Sequence, residues 1–300
     1  MSFLAIFLAL VAERFLLPLE GRRQLGWLTE YFVWARRILY PFKGSDGPLG
    51  VVLVLVPVLL VLSTLIDLLD GVLFGIPAFL FSAVVLLYCL GPRDLGSQVE
   101  AFTEAAYRGD TVTARELGRE IIGRNTDEGL GEVVREVTSA VFRESNERLF
   151  APVFWFLILG PMGAGLYRAS AQLRRQAAGR DKPESTFLAA GSRLLWILDW
   201  VPARLTAVGF LLTGNFEKGL YDWKMRSDEE EERSHIPAEA LLEAAGHGAL
   251  QLEPGTGDNP PLPSDQIEPV LAKAAMGMVW RTLLIWLLLM GIAAISSWVG

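Results

Sequence analysis

Residues 49–66 read LGVVLVLVPVLLVLSTLI, and residues 71–90 read GVLFGIPAFLFSAVVLLYCL. Neither run contains a charged residue, and the four-residue linker between them carries only Asp67 and Asp70. Each run is long enough to cross a hydrocarbon layer about 30 Å thick as a helix that rises about 1.5 Å per residue. Because the linker allows only a tight turn, the two runs predict a helical hairpin in a membrane. We therefore expect an all-α, polytopic integral membrane protein.

The composition agrees with this prediction and excludes several kinds of site. The chain is 52% hydrophobic and 20% charged, whereas soluble domains are about 25% charged. Its net charge of −7 disfavours nucleic acid as a partner, because phosphate binding requires a basic face. The single cysteine, Cys89, excludes a disulfide within one chain. His235 and His247 lack cysteine or acidic partners at ligand spacing, so no metal site is expected.

Further apolar segments flank the hairpin. The sequence predicts a retained N-terminal helix over roughly Ser2–Leu19 and a C-terminal span over Thr282–Gly300. The apolar segment Leu149–Tyr167 is interrupted by the glycines and proline at 160–163. Asp199, Pro202 and Arg204 interrupt the segment at 194–216, which predicts an interfacial segment or a broken helix packed inside the protein.

Basic residues in the connecting loops predict the orientation. They are frequent in the loops over 22–43 and 93–124 and absent from the hairpin tip. Both basic loops should therefore be cytoplasmic. Residues 168–193 are basic as well. If they are also cytoplasmic, the segment at 149–167 must enter the membrane and return, and otherwise it crosses.

Five parts follow from these patterns. They are N-terminal membrane helices over 1–95, with the hairpin at about 49–90, a small cytoplasmic helical subdomain over 96–148, membrane-embedded or interfacial broken helices over 149–220, a polar flexible tether over 221–272 and a C-terminal transmembrane helix over 273–300. Ser97 and Glu100 have capping-box spacing at the start of the subdomain. The acidic run at 228–232 and the prolines that follow predict the tether, with a short helix near 238–245.

Polar side chains within apolar surroundings are the candidate ligand-binding residues, because charges in a bilayer usually face one another or a wet cavity. The candidates are Glu13, Arg14, Arg93, Asp94, Glu144, Asn146, Arg148, Trp155, Arg168, Asp199 and Arg204. Asp199 and Arg204 either pair structurally or form, with Arg168, a polar pocket for a carboxylate or phosphate. No catalytic residue and no metal ligand is predicted, and the nucleotide-binding glycine motifs are missing.

The same residues carry a resemblance to the AmpE family. It rests on ALVAERF at 9–15, NERLFAPVFWFLIL at 146–159, LDWVPARL at 198–205 and GNFEKGL at 214–220. This family is associated with β-lactamase induction and cell-wall recycling. The resemblance implies a multi-pass protein of the bacterial inner membrane that acts as a regulator or sensor and binds an anionic small molecule or cell-wall fragment at the cytoplasmic face. The other expected partner is the lipid bilayer. The resemblance leaves open whether the protein forms a homo-oligomer, and no cofactor is expected.

A wider resemblance to the CobD/CbiB synthases gives the alternative. APVFW at 151–155, VPARL at 201–205 and GPRDL at 91–95 match those membrane enzymes, which attach aminopropanol phosphate to adenosylcobyric acid. This alternative implies ATP and Mg²⁺. Where the synthases carry acidic or amide motifs, this chain has AQLR at 171–174, RLLW at 193–196 and Arg143-Glu144. Because such a ligase needs carboxylates to hold magnesium, we expect a regulator rather than an enzyme.

Overall fold

The computed structural model describes residues 2–13, 26–39, 47–72, 75–91, 94–125, 129–178, 186–231, 237–251 and 269–299. These residues form mainly α-helices, with π-helical turns at 12–13 and 146–150, and there is no strand among them. In the described ranges, four helical segments are long and apolar enough, by length and composition, to cross a membrane: Pro48–Asp70, Leu130–Gln176, Thr186–Thr213 and Val270–Ser296. The prediction of an all-α polytopic membrane protein is confirmed.

The helices fall into two units. The first unit comprises Met1–Pro92 and Glu147–Trp200, and the second comprises Arg93–Asn146 and Val201–Gly300. The helices, in chain order, are α1 Ser2–Val11, α2 Gly26–Leu39, α3 Pro48–Asp70, α4 Ile76–Cys89, α5 Leu95–Tyr107, α6 Thr111–Ile122, α7 Leu130–Ser145, α8 Ala151–Ala178, α9 Thr186–Thr213, α10 Phe216–Glu231, α11 Ala238–Ala249 and α12 Val270–Val299. The predicted subdomain over 96–148 is thus part of a larger unit.

In the first unit, α8 is the central element and contacts α1, α2, α3 and α4. The buried core of this unit includes Phe32, Val54 and Leu173 from these helices and Phe187 from the start of α9. The hydroxyl of Tyr31 donates a hydrogen bond to the main-chain oxygen of Val54 at 3.0 Å and ties α2 to α3. Helices α3 and α4 pack against each other, as the hairpin prediction requires. The helix predicted over Ser2–Leu19 is described only to residue 13, and α1 ends at Val11.

Helix α8 reverses direction at Gly160. Gly160 has φ 63° and ψ −155°, and Pro161 follows it. The left-handed φ favours glycine because it has no Cβ. Three residues later, a Cβ on Gly163 would lie 2.2 Å from the main-chain oxygen of Trp155, a separation impossible in one straight helix eight residues long. The two halves of α8 therefore lie side by side. The first half from Ala151 to the reversal has nine residues and is about 13 Å long, which is less than a hydrocarbon layer about 30 Å thick.

Helix α9 is continuous, which differs from the broken helix that was one of the two predicted alternatives at its position. It runs from Thr186 to Thr213 with Pro202 inside it. A proline in a helix leaves the carbonyl four residues earlier without its N–H donor, and here that carbonyl belongs to Leu198. The indole Nε1–H of Trp155 donates to the Leu198 oxygen at 3.0 Å. This hydrogen bond replaces the missing helical one.

In the second unit, α5, α6 and α7 pack together, and α12 contacts α5 and α7. Val133, Val134, Val137 and Val141 recur at helical spacing along α7 and are all buried, so they form its apolar face. The predicted capping box is wrong: α5 begins two residues before Ser97, and its N-cap is Asp94, whose carboxylate accepts a hydrogen bond from the Ser97 amide at 2.8 Å.

The predicted tether over 221–272 is partly folded, which is a second correction. Helix α10 extends to Glu231 and packs against α11, and α11 also contacts α7. The apolar side chains of Leu241, Leu242 and Ala245 are buried and supply the hydrophobic face that the sequence prediction undervalued. His247 lies in the same helix, with its Nε2 2.7 Å from the Ser139 hydroxyl. Residues 232–236 and 252–268 of the predicted tether lie outside the described residues.

Candidate functional site

The candidate site lies in the first unit, where the chain enters α8. A π-helical turn, Asn146–Phe150, precedes the helix and carries Glu147 and Arg148. Such turns rotate side chains out of the regular helical register and are frequent at functional sites. Both side chains are buried, with exposed fractions of 5% for Glu147 and 6% for Arg148. The turn thus places two charged groups inside an apolar unit.

The Glu147 carboxylate is surrounded by three arginines from the returning half of α8. Arg175 donates from Nε at 2.9 Å and lies 2.8 Å away through Nη2. Arg174 donates to the other carboxylate oxygen. Arg168 has its Nη1 4.0 Å from Glu147 Oε1. We call these four residues the Glu147 cluster, and it exists because the reversal at Gly160 brings residue 147 beside residues 168–175.

The Glu147 cluster is basic, because its three guanidinium groups and one carboxylate give a net charge of +2. Arg168 is the most enclosed of the three arginines, with 5% of its side chain exposed against 30% for Arg174 and 36% for Arg175. Its Nε and Nη1 atoms have no hydrogen-bond partner among the described residues. Buried charges are normally paired, so this arrangement is suited to an anion. Guanidinium groups bind phosphate and carboxylate through two parallel hydrogen bonds.

A second buried polar pair lies nearby in the same unit. The Tyr167 hydroxyl donates to Asp199 Oδ1 at 2.7 Å, and both side chains are buried. Tyr167 is adjacent to Arg168 in sequence, so one segment of α8 contributes to both polar groups. The apolar residues Ala151, Ala171 and Leu195 pack with Tyr167, and they exclude water from this side of the site.

The structure brings only some of the predicted site residues together. Arg168 joins the Glu147 cluster, Asp199 accepts from Tyr167, and Trp155 is bonded to α9. Arg148 is buried on the π-helical turn, and Glu13 ends the turn after α1. The candidates in the second unit are Asp94, Glu144, Asn146 and Arg204, of which Asp94 caps α5 and Asn146 accepts from the Thr206 hydroxyl at 3.3 Å. Arg14 and Arg93 lie outside the described residues.

Sequence reasoning missed Glu147, Arg174 and Arg175 as site residues. The two arginines were assigned to a basic loop, whereas they belong to α8 and contact a buried carboxylate. A usable signal was the Gly160-Pro161 pair itself. In a chain that folds back at residue 160, residues at similar distances on either side meet, and Glu147 and Arg174 satisfy this condition.

The described residues do not fit a magnesium ion held by a cage of protein carboxylates. No group of three or more histidine, cysteine or acidic side chains comes together in the described ranges. The carboxylate at the site, Glu147, is already engaged by arginines. The arrangement therefore favours binding of an anion over binding of a cation.

Comparison with known proteins identifies the family. The family model described as CobD/Cbib protein matches residues 6–256. The "Cobalamin biosynthesis protein CobD" of Stutzerimonas stutzeri is 28% identical over 306 residues, covering 96% of this chain and 97% of that protein. The protein of the same name from Chromobacterium violaceum is 35% identical over 177 residues, covering 58% of this chain and 55% of that relative.

The AmpE likeness also appears among the relatives. "Protein AmpE" of Shigella flexneri is 28% identical over 231 residues, covering 74% of this chain and 78% of that protein. No solved structure matches the chain. The comparisons favour the alternative, cobalamin biosynthesis, over the regulator that the sequence analysis expected, and they do not support its expectation that the protein is not an enzyme. The chain belongs to the CobD/CbiB family.

Proposed function

We propose that this chain is a membrane enzyme of cobalamin biosynthesis. It would join a carboxylate of a corrinoid to the amino group of an aminoalkyl phosphate and form an amide. The observation that carries the proposal is the Glu147 cluster, a buried group of net positive charge in a member of the CobD/CbiB family. The cluster would bind the phosphate of the amine substrate.

The charges of the cluster match this substrate. A phosphate dianion would balance a net charge of +2, and the two unpartnered nitrogens of Arg168 offer donors for its oxygens. Glu147 holds Arg174 and Arg175 in place by ion pairs, so the phosphate meets guanidinium groups that are already oriented. ATP, which the family resemblance implies, would supply the phosphoryl group that activates the corrinoid carboxylate.

The first experiment measures phosphate binding. Purified protein in detergent is titrated with 1-aminopropan-2-yl phosphate by calorimetry, for the wild type and for Arg174→Gln. Because one charge-assisted hydrogen bond is lost, the affinity should fall about tenfold. Arg108→Gln is the matched control, since Arg108 also pairs with a glutamate but is 74% exposed in the second unit. Equal affinities in all three proteins would show that the Glu147 cluster does not bind the phosphate of the amine substrate.

The second experiment measures the reaction. Protein in liposomes is incubated with adenosylcobyric acid, the aminoalkyl phosphate and ATP, and the amide product is quantified by mass spectrometry. Product that depends on protein supports the enzyme. Binding without product, at saturating concentrations of all three substrates, contradicts it and leaves the second candidate.

The second candidate is an AmpE-like regulator or sensor of the bacterial inner membrane. It is supported by the alignment with Protein AmpE and by the lack of an acidic cluster among the described residues. In this case the Glu147 cluster binds an anionic cell-wall fragment without converting it. Deletion of the gene should then alter β-lactamase induction, and cobalamin-dependent growth on cobyric acid should be unchanged.

A further inference from the structure

Helix α2 has a buried side and, next to it, an exposed stripe of large apolar side chains. The buried side packs into the core of the first unit through Phe32 and its neighbours. The aromatic stripe consists of residues at helical spacing, Trp27, Trp34 and Ile38, which are 53%, 59% and 48% exposed. We propose that α2 lies at the boundary between the hydrocarbon layer and water, and that the aromatic stripe binds the headgroup layer of the bilayer. This proposal goes beyond the enzyme function and does not depend on it.

The contact between α2 and α3 indicates the depth of α2. The Tyr31 hydroxyl donates to the main-chain oxygen of Val54 at 3.0 Å, and Val54 lies only about 9 Å along α3 from its first residue, Pro48. Helix α3 has 23 residues and is about 34 Å long, so it crosses a layer of about 30 Å with little to spare. The first turns of α3 therefore lie near the surface of the hydrocarbon layer, and α2 packs beside them.

The returning half of α8 indicates the same depth. A Cβ on Gly165 would lie 3.0 Å from Leu62 in the later part of α3, whereas Leu173 packs in one core cluster with the first turns of α3. This half of α8 therefore runs antiparallel to α3, towards the end of α3 that α2 contacts. Near its own end, the Gln172 amide donates to the Thr29 hydroxyl of α2 at 2.7 Å. The arginines of the Glu147 cluster follow directly, and charged groups favour the surface of the layer over its middle.

The side chains of α2 match the boundary and neither of its two sides. Tryptophan is enriched at membrane–water interfaces, because its ring is apolar and its N–H is polar. Glu30 and Arg37 are exposed on the same helix, and inside the hydrocarbon they would be costly charges. In water, by contrast, the aromatic stripe would remain as exposed apolar surface. With 14 residues and a length of about 21 Å, α2 is also too short to cross the layer.

The test uses nitroxide labels on the full chain in liposomes. The chain has one cysteine, so Cys89→Ala provides a background without thiols. Trp34→Cys and Val33→Cys are the matched pair, because these neighbouring residues are 59% and 50% exposed and point about 100° apart around the helix. Leu60→Cys, 58% exposed on α3, marks the hydrocarbon, and Arg108→Cys, 74% exposed, marks water. Electron paramagnetic resonance measures collisions of each label with oxygen, which concentrates in hydrocarbon, and with a water-soluble nickel chelate.

The label at residue 34 should lie at a depth between the labels at 60 and 108, and the label at 33 should collide with the chelate severalfold more often than the label at 34. Three results would overturn the proposal: equal access of the chelate to 33 and 34, a depth at 34 equal to that at 60, or shielding of 34 from both reagents.

Trp27→Cys provides a second position on the aromatic stripe if Trp34→Cys does not fold. Amide synthesis is measured separately in the same liposomes. A failure of the membrane anchor can therefore be distinguished from a failure of the enzyme function, because the depth measurement does not depend on any substrate.

Discussion

The indole N–H of Trp155 donates to the main-chain oxygen of Leu198 at 3.0 Å. That oxygen is the one left without a helical donor by Pro202, four residues further along α9. The hydrogen bond explains how α9 stays continuous through a proline. It also gives Trp155 a structural role and ties the entering half of α8 to α9.

Replacing Trp155 by phenylalanine should expose this dependence. Trp155→Phe removes the donor and leaves the Leu198 carbonyl unpaired, which should lower the free energy of unfolding by about 1–2 kcal/mol. Pro202→Ala restores a main-chain N–H, so the double variant should lose less than the two single variants together. Thermal unfolding in detergent measures all four proteins. Strict additivity would show that the two residues do not act on the same carbonyl.

The tight turn at the tip of α8 gives a second prediction. In Gly163→Ala the new methyl group would lie 2.2 Å from the Trp155 main-chain oxygen, so the two halves of α8 must separate. We expect a loss of several kcal/mol or failure to fold. Gly277→Ala in α12 is the control, because nothing lies within 4 Å of its Cβ position. It should stabilise the protein by about 0.5–1 kcal/mol. A fully stable Gly163→Ala protein would contradict the reversal.

Neutralising Glu147 should make stability depend on anions. Glu147→Gln leaves three arginines without their shared carboxylate, which should cost about 3–5 kcal/mol. Inorganic phosphate should restore part of this loss, because it binds the folded state and replaces the missing charge. The melting temperature is measured over a phosphate titration at constant ionic strength. Glu104→Gln, which breaks an exposed ion pair with Arg108, should respond to phosphate as the wild type does.

A buried histidine gives a prediction about pH. In α11, burial and the positive charges of Arg135 and Arg226 lower the pKa of His247 from 6.5 to about 4. As the pH falls below 6.5, His247 becomes protonated in the unfolded chain but stays neutral in the folded chain. The free energy of unfolding therefore decreases between pH 6.5 and 4. The loss should be about 3 kcal/mol.

His247→Gln isolates this contribution. The amide can keep the hydrogen bond to Ser139, but it does not titrate. Relative to this variant, the wild type should lose stability over the stated range, as measured by chemical unfolding at a series of pH values. Parallel pH curves for the two proteins would show that His247 titrates alike in the folded and unfolded states.

Much of the helical architecture could be predicted from the sequence, because apolar length and charge are local properties. The α3–α4 hairpin was predicted in this way. The Glu147 cluster was not predicted, since Glu147 is more than twenty residues from each of its arginines and meets them only through the reversal at Gly160. The prediction of a broken helix at Pro202 failed for a similar reason. The Leu198 carbonyl that Pro202 leaves without a helical donor accepts a hydrogen bond from Trp155, which is 43 residues away from Leu198 in the chain.

The reversal of α8 also affects how the number of membrane crossings is counted. A segment that goes in and comes out by the same face leaves the chain on the side from which it started. Hydropathy alone assigns such a segment one passage, so every later loop is placed on the opposite face. Correct topology maps of this protein must therefore treat Ala151–Ala178 as contributing an even number of passages.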